Sequence, residues 1–260
     1  VCGFLGADVD GELLKTLATK EGIRCQGLFL DERYPTTVKT RVIAHRQQVV
    51  RIDREEKHPR DGEIAKKFYR LIEELIPHHK AIILSDYGKG VVTQELVKVL
   101  DRATEKGEVS LSKCPLMIDP HPANYGLYGR FNIAKPNRKE AEAALGIKIK
   151  DEVSAIEAAR ELLRLWKSDV ILISLGEDGL VMAFADARPP IILETMARQV
   201  FDVSGAGDSL TATFAAAFAA GASPSIAGEL ANVASGIVIS EVGTAAITIN
   251  KLERELLGRK

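Results

Sequence analysis

The chain is short of cysteine, nearly without net charge and free of long apolar runs, and each shortage excludes something. Its three cysteines, Cys2, Cys25 and Cys114, are odd in number, far apart and form no CxxC pair. That argues against a disulfide framework and for buried thiols in a reducing cytoplasm. With 35 basic and 36 acidic residues the formal charge is −1, so no bulk field recruits nucleic acid or an anionic membrane. No apolar run approaches the ~20 residues that span a bilayer, and Val1 opens without a charged n-region, so neither a membrane span nor a leader is expected. His78 and His79 are neighbours and do not share a helix face, so a metal site of His/Cys type is not expected. There is no GxxxxGK[ST], and Gly205-Ala206-Gly207 runs into Asp208-Ser209-Leu210 without completing GxGxxG. Repeats and low-complexity linkers are absent too.

What is present alternates. At 260 residues and 46% hydrophobic content the chain can bury one large core or two modest ones. Strands are expected at 1–6, 23–30, 81–85, 116–119, 131–135 and 170–175, with helices at 10–20, 63–76, 93–106, 139–145, 154–167, 223–242 and 251–257. Residues 179–185 and 191–195 read as antiparallel strands around Pro189-Pro190. Such alternation argues a single α/β core over 1–260. Residues 36–42 and 48–53 read as a strand pair, set outside the main sheet because both faces carry charge. The continuous apolar run 81–85 suggests a strand buried on both faces. Asp86-Tyr87-Gly88-Lys89-Gly90 follows its C-terminal end, where open α/β sheets bind ligands.

The most informative stretch is Phe201-Asp202-Val203-Ser204-Gly205-Ala206-Gly207-Asp208, leading into an Ala-rich helix that ends at Gly221. Small residues at a helix start leave first-turn N–H groups bare for an anion, and Asp208 beside them is an ionised base. That pairing suits phosphoryl transfer onto a hydroxyl. A tight turn with a dipole-favoured Asp is the plainer alternative. In Lys135-Pro136-Asn137-Arg138-Lys139-Glu140, Asn137 can cap a helix and Glu140 can favour its first turn. Ser174-Leu175-Gly176-Glu177-Asp178-Gly179 reads most simply as a hairpin-like turn. Asn232 reads as a buried helix-packing amide, Asp202 as a loop cap, and 37–53 as a charged hairpin.

Asp202-Val203-Ser204-Gly205-Ala206-Gly207-Asp208 resembles the C-terminal signature of the ribokinase-like (PfkB) carbohydrate kinases. The resemblance implies a three-layer α/β/α sandwich with a mostly parallel central sheet and a small β lid at 31–54. It implies Asp208 as catalytic base and the Gly205, Ala206 and Gly207 backbone as anion hole. Asn137 and Glu140 are similar to the family's Asn-x-x-Glu motif, which orders Mg²⁺ through water around the nucleotide phosphates. Lys135, Asn137, Ser174, Gly176, Gly179 and Asn232 then fall on the ATP side. Asp202 and Ser204, with 240–243, match a monovalent-cation segment that usually holds K⁺.

Thr37-Val38-Lys39-Thr40-Arg41-Val42, Arg46 to Asp53, Leu84 to Gly90 and Asp119-Pro120 resemble one branch closely. That branch is the D-glycero-β-D-manno-heptose 7-phosphate kinases of bacterial ADP-heptose synthesis, sometimes fused to a nucleotidyltransferase. Arg46, Gln47, Gln48, Arg51, Asp86 and Lys89 become candidates for the sugar phosphate, which needs cations for its phosphate and amides for its hydroxyls. The resemblance further implies a first strand with a sugar-binding Asp and a Gly-Gly-Ala-x-Asn segment upstream of Val1, neither of which is in these 260 residues. A homodimer through the lid is implied as well. Two rivals stay open: a kinase of the same family for another sugar, and a non-catalytic nucleotide- or sugar-binding relative.

Overall fold

A computed structural model of the chain describes residues 1–44, 47–186, 188–196, 204–241, 243 and 245–258. By its contacts the chain groups into two compact units, Val1–Pro77 with Tyr87–Leu100 and His78–Asp86 with Asp101–Lys260. No helix among the described residues is long and apolar enough to cross a membrane.

The first unit holds β1 (Cys2–Gly6), α1 (Val9–Lys20), β2 (Gly27–Asp31), β3 (Val38–Ala44), β4 (Gln47–Arg54) and α2 (Gly62–Leu75). β1 and β2 pair in parallel around α1, with Phe4 opposite Phe29. β2 starts later than the apolar run beginning at Ile23 suggests. The Ile23 N–H returns to Ala18 O and the Gly22 N–H to Thr19 O, closing α1 before the strand can begin. Phe68 of α2 is the centre of this unit, 4.7 Å from the Phe4 ring and 5.8 Å from Phe29.

β3 and β4 form an antiparallel sheet of their own, as the sequence suggests. Both faces carry charge, but unequally. Lys39, Arg41, Arg51 and Asp53 share one face, while Thr40, Val42, Val50 and Ile52 share the other. Charge is concentrated on the first face; the second carries Arg54, opposite Val38, and exposes Val42, Val50 and Ile52.

The second unit is built on six strands: β5 (Ile82–Ser85), β6 (Leu116–Asp119), β7 (Ile133–Ala134), β8 (Val170–Ser174), β9 (Leu180–Phe184) and β10 (Ile191–Leu193). Their order is β10-β9-β8-β7-β6-β5, parallel from β5 to β8 and antiparallel at β9 and β10. α3 (Gln94–Glu105) crosses the unit boundary in sequence. α4 (Arg138–Leu145), α5 (Glu152–Trp166), α6 (Ala206–Ala219), α7 (Pro224–Ile239) and α8 (Ile249–Leu257) follow. Strand periodicity sends Met117, Ile133, Leu172 and Met182 to one face, against Leu210 and Phe214 of α6 and Ala227 and Ala231 of α7. Ile171 and Ile173 point the other way and are fully buried; α5 packs on β8 and β9. Each face of the sheet thus carries helices.

One expectation is corrected. Among the described residues β5 pairs in its sheet with β6 alone, and its residues alternate between partly buried and exposed, with Ile83 42% exposed. An uninterrupted apolar run does not by itself distinguish a central strand from an edge.

Candidate active site

The parallel strands end side by side, and a polar residue stands at each end: Asp86 after β5, Asp119 closing β6, Lys135 after β7 and Ser174 closing β8. Backbone bonds keep these ends in register. Asp86 N–H donates to Asp119 O (3.0 Å), Lys135 N–H to Ile118 O (2.9 Å) and Ser174 N–H to Pro136 O (3.1 Å).

α6 packs on β5 and β6. Its N-cap, Gly205, takes a left-handed conformation at φ 84° and offers no side-chain cap, a geometry glycine adopts without steric cost. The first-turn N–H groups are therefore left without the oxygen that an N-cap side chain would supply. Lys135, only 3% exposed, reaches the same place: a Cβ added to Gly207 would lie 3.2 Å from Lys135 Nζ. The ammonium is held 2.9 Å from Asp119 Oδ2. Thr211 donates its hydroxyl to Gly207 O at 2.9 Å and lies 3.4 Å from Asp119 Oδ2. Burial pushes the Asp119 carboxyl up, Lys135 pulls it back, and the nearby Asp208 charge adds to the rise. Asp208 itself, third residue of the helix, is exposed. A buried cation, an uncapped helix start and an accessible carboxylate are thus gathered in one place.

The start of α4 is arranged differently. Asn137 Oδ1 accepts the Glu140 N–H at 3.0 Å and Glu140 Oε2 accepts the Asn137 N–H at 2.8 Å, a reciprocal capping box. The capping expected of Asn137 is present. Burial raises the Glu140 carboxyl above its usual range. No group of three or more His, Cys, Asp or Glu side chains converges into a metal cage among the described residues. A half-buried carboxylate with one oxygen engaged is nevertheless the kind of hard oxygen donor that Mg²⁺ with retained waters accepts.

The turn expected at 174–179 is a short 3-10 segment, Gly176–Asp178, joining β8 to β9. Gly179 sits at φ 87°, and a Cβ there would collide with Leu193 O. Ser174 lies beside Asn137 through an isolated parallel bridge. Arg138 donates to Ile149 O (2.7 Å) and Leu175 O (3.2 Å) and pairs with Asp178. A cleft of about 410 Å³ opens next to this turn, lined by Arg138, Lys150, Glu177 and Glu194 among others. Asn232 is 8% exposed and donates its amide to Glu194 O at 2.7 Å, tying α7 to the chain just after β10. Of the cation segment, Ser204 is described and partly buried, while Asp202 and Val242 lie outside the described residues.

In the first unit, Lys89 is ion-paired with Glu55. That bond holds the Glu55 carboxyl down to about 2. Lys39 bridges Asp53 (3.2 Å) and Glu55 (3.5 Å), and the exposed Arg51 donates to Asp53 at 2.9 Å. Arg46 lies outside the described residues; Gln47 and Gln48 are placed on β4 by their pairing with Ala44 and Ile43, their side chains not being described. In the second unit Asp86 is buried, its Oδ2 accepting from Asn124 Nδ2 (2.7 Å) and the Tyr128 hydroxyl (2.8 Å).

Four contributors escape the motif reading: Thr211, Asn124, Tyr128 and the pairing of Asp119 with Lys135. The available signal was a carboxylate at a strand end one strand away from a buried lysine.

Comparison with known proteins bears on this constellation. The model of the pfkB family carbohydrate kinases matches residues 1–251. The chain belongs to that family. The bifunctional protein HldE of Desulfatibacillum aliphaticivorans is 40% identical over 256 residues, covering 98% of this chain and 51% of that protein. The chain therefore spans about half the length of the curated relatives it matches. Arabidopsis thaliana ribokinase, solved with ribose and ATP, aligns with a TM-score of 0.73 at 20% identity, covering 94% of this chain and 76% of that one. Escherichia coli phosphofructokinase-2, solved with potassium, gives a TM-score of 0.73 at 19% identity over 96% of this chain and 79% of its own. These likenesses establish the ribokinase-like fold.

Proposed function

We propose that the chain transfers the γ-phosphoryl group of ATP to the anomeric hydroxyl of D-glycero-β-D-manno-heptose 7-phosphate, giving the 1,7-bisphosphate on the route to ADP-heptose and the lipopolysaccharide core. The observation that carries this is the uncapped start of α6, with Lys135 buried beside it and Asp208 on its first turn. Asp208 takes the acceptor hydroxyl's proton. The Gly205, Ala206 and Gly207 backbone, with Lys135, meets the charge on the transferred group. Asn137, Ser174, Gly176, Gly179 and Asn232 are assigned to the nucleotide side, and Glu140 would hold the hydrated metal through water. Mg²⁺, when bound with the nucleotide, neutralises phosphate charge. Asp202 and Ser204 are assigned to K⁺, by analogy with the potassium complex of phosphofructokinase-2.

Arg46, Gln47, Gln48, Arg51, Asp86 and Lys89 are assigned to the sugar phosphate. The branch resemblance and the likeness to HldE support that choice of acceptor. The exposed Val42, Val50 and Ile52 face of the β3–β4 hairpin supports pairing of two copies through the lid. Work in the cytoplasm accords with its three free cysteines.

The test is ADP release by the 260-residue chain with Mg-ATP, alone, with heptose 7-phosphate and with a panel of other sugars and sugar phosphates. Release that depends on heptose 7-phosphate is expected. Release driven by another sugar would move the acceptor assignment and keep the chemistry. ATP binding without release for any sugar would favour a non-catalytic binding protein.

A further inference from the structure

Asp86 is a buried carboxylate whose orientation is fixed from outside its own strand. Both Asn124 Nδ2 (2.7 Å) and the Tyr128 hydroxyl (2.8 Å) donate to the same oxygen, Oδ2. Both donors come from the loop between β6 and β7, on the far side of Asp119. That loop is itself tied down. The His121 N–H donates to the Tyr128 hydroxyl oxygen at 2.6 Å, and the Tyr128 ring packs edge-on against Phe131 at 6.0 Å. Three residues before it, Tyr125 donates its hydroxyl to Glu140 O at 2.7 Å. One loop thus braces Asp86 at one point and the first turn of α4 at another.

We infer that Tyr128 and Asn124 are positioning residues for the acceptor sugar, acting through Asp86 by locking its carboxylate in one plane. The inference rests on the sugar-kinase reading above. A carboxylate held by two donors on one oxygen cannot turn to suit different hydroxyl patterns, so the pair also sets how selective that contact is. Removing either of these donors loosens the carboxylate's plane, and the acceptor loses a directed hydrogen bond. Hydrogen bonds to charged groups contribute about 1.5–3 kcal/mol, which corresponds to roughly tenfold or more in affinity.

The experiment compares steady-state kinetics of the wild-type chain with Tyr128→Phe, Asn124→Ala and Tyr125→Phe, alongside thermal melts. Tyr128→Phe keeps the ring and removes the hydroxyl with its bonds to Asp86 and the His121 backbone, whereas Asn124→Ala leaves the His121 bonds in place. The expected result is an acceptor KM raised about tenfold in Tyr128→Phe and Asn124→Ala, with KM for ATP unchanged. Tyr125→Phe, on the same loop, should leave the acceptor KM unchanged. An acceptor KM equal to wild type in a folded Tyr128→Phe would overturn the inference alone. So would a parallel rise of acceptor KM and ATP KM, or an equal rise in Tyr125→Phe, since either marks general loosening of the loop. A wild-type chain that responds to no sugar would instead remove the kinase reading beneath it, and the inference with it. Direct calorimetric titration of the acceptor into each variant separates these cases.

Discussion

Two helices, α4 and α6, begin at the same edge of the second unit's sheet, and their first turns are finished in opposite ways. α4 satisfies itself: Asn137 and Glu140 exchange hydrogen bonds, so the orphan donors of that turn are partly used within the chain. α6 begins on a left-handed glycine with no capping side chain, beside a buried ammonium. A helix start on glycine, with no side-chain cap, forgoes a few tenths of a kcal/mol relative to a capped one. The chain accepts that loss at α6 and not at α4. An incoming anion can supply at α6 what Asn137 supplies at α4, so the difference points to where the transferred phosphoryl group is received.

The first way to break this comparison is at Asp208, the one carboxylate on the uncapped turn. Asp208→Asn should lower sugar-dependent ADP release by roughly 10²–10⁴-fold, the scale of a lost general base, while calorimetry still records ATP binding. Turnover within a few-fold of wild type would leave the α6 start as an anion cradle without a base. The substitution is nearly isosteric and exposed, so the melting temperature should hardly move.

A smaller effect is expected on the capped turn. Asn137→Ala removes the side chain that accepts the Glu140 N–H, which should cost about 1 kcal/mol and lower the melting temperature by about 2–4 °C for a unit of this size. A melt identical to wild type would mean that water replaces the cap without loss, and the contrast between the two helix starts would lose its energetic basis.

Much of this contrast was legible in the chain. Gly-Ala-Gly before an Ala-rich run announces an unhindered helix start, and Asn-x-x-Glu announces a capping box, because both depend on residues within one turn of each other. The parallel strands 116–119 and 170–174 were equally plain. What could not be read depends on residues distant in sequence and near in space. Lys135 and Asp119 are sixteen positions apart and meet only because β6 and β7 are neighbours. Tyr128 and Asp86 meet across two strand connections. The exposed edge at Ile83 went unforeseen for the same reason, since strand order decides burial and local apolarity does not. The unequal faces of the β3–β4 hairpin needed the pairing register, which a bulge between Val42 and Ile43 shifts.

The finest division concerns Glu140, whose capping role and proposed metal role fall on one side chain. Glu140→Gln separates them. Glutamine serves in a capping box as glutamate does, so the bond to the Asn137 N–H survives. The lost charge removes a favourable interaction with the helix dipole, about 0.3–1 kcal/mol. It also removes the cost of burying a carboxylate, the same cost that raises its pKa. The two changes oppose each other, and the melting temperature should stay within about 2 °C of wild type. A water-mediated metal contact would respond differently, because a neutral amide holds a hydrated cation less well. The Mg²⁺ concentration giving half-maximal ADP release should then rise about tenfold, the scale seen when an outer-sphere partner of a metal is removed. An unchanged Mg²⁺ requirement with an unchanged melt would make Glu140 a helix cap alone, and the α4 start a structural joint rather than part of the nucleotide site.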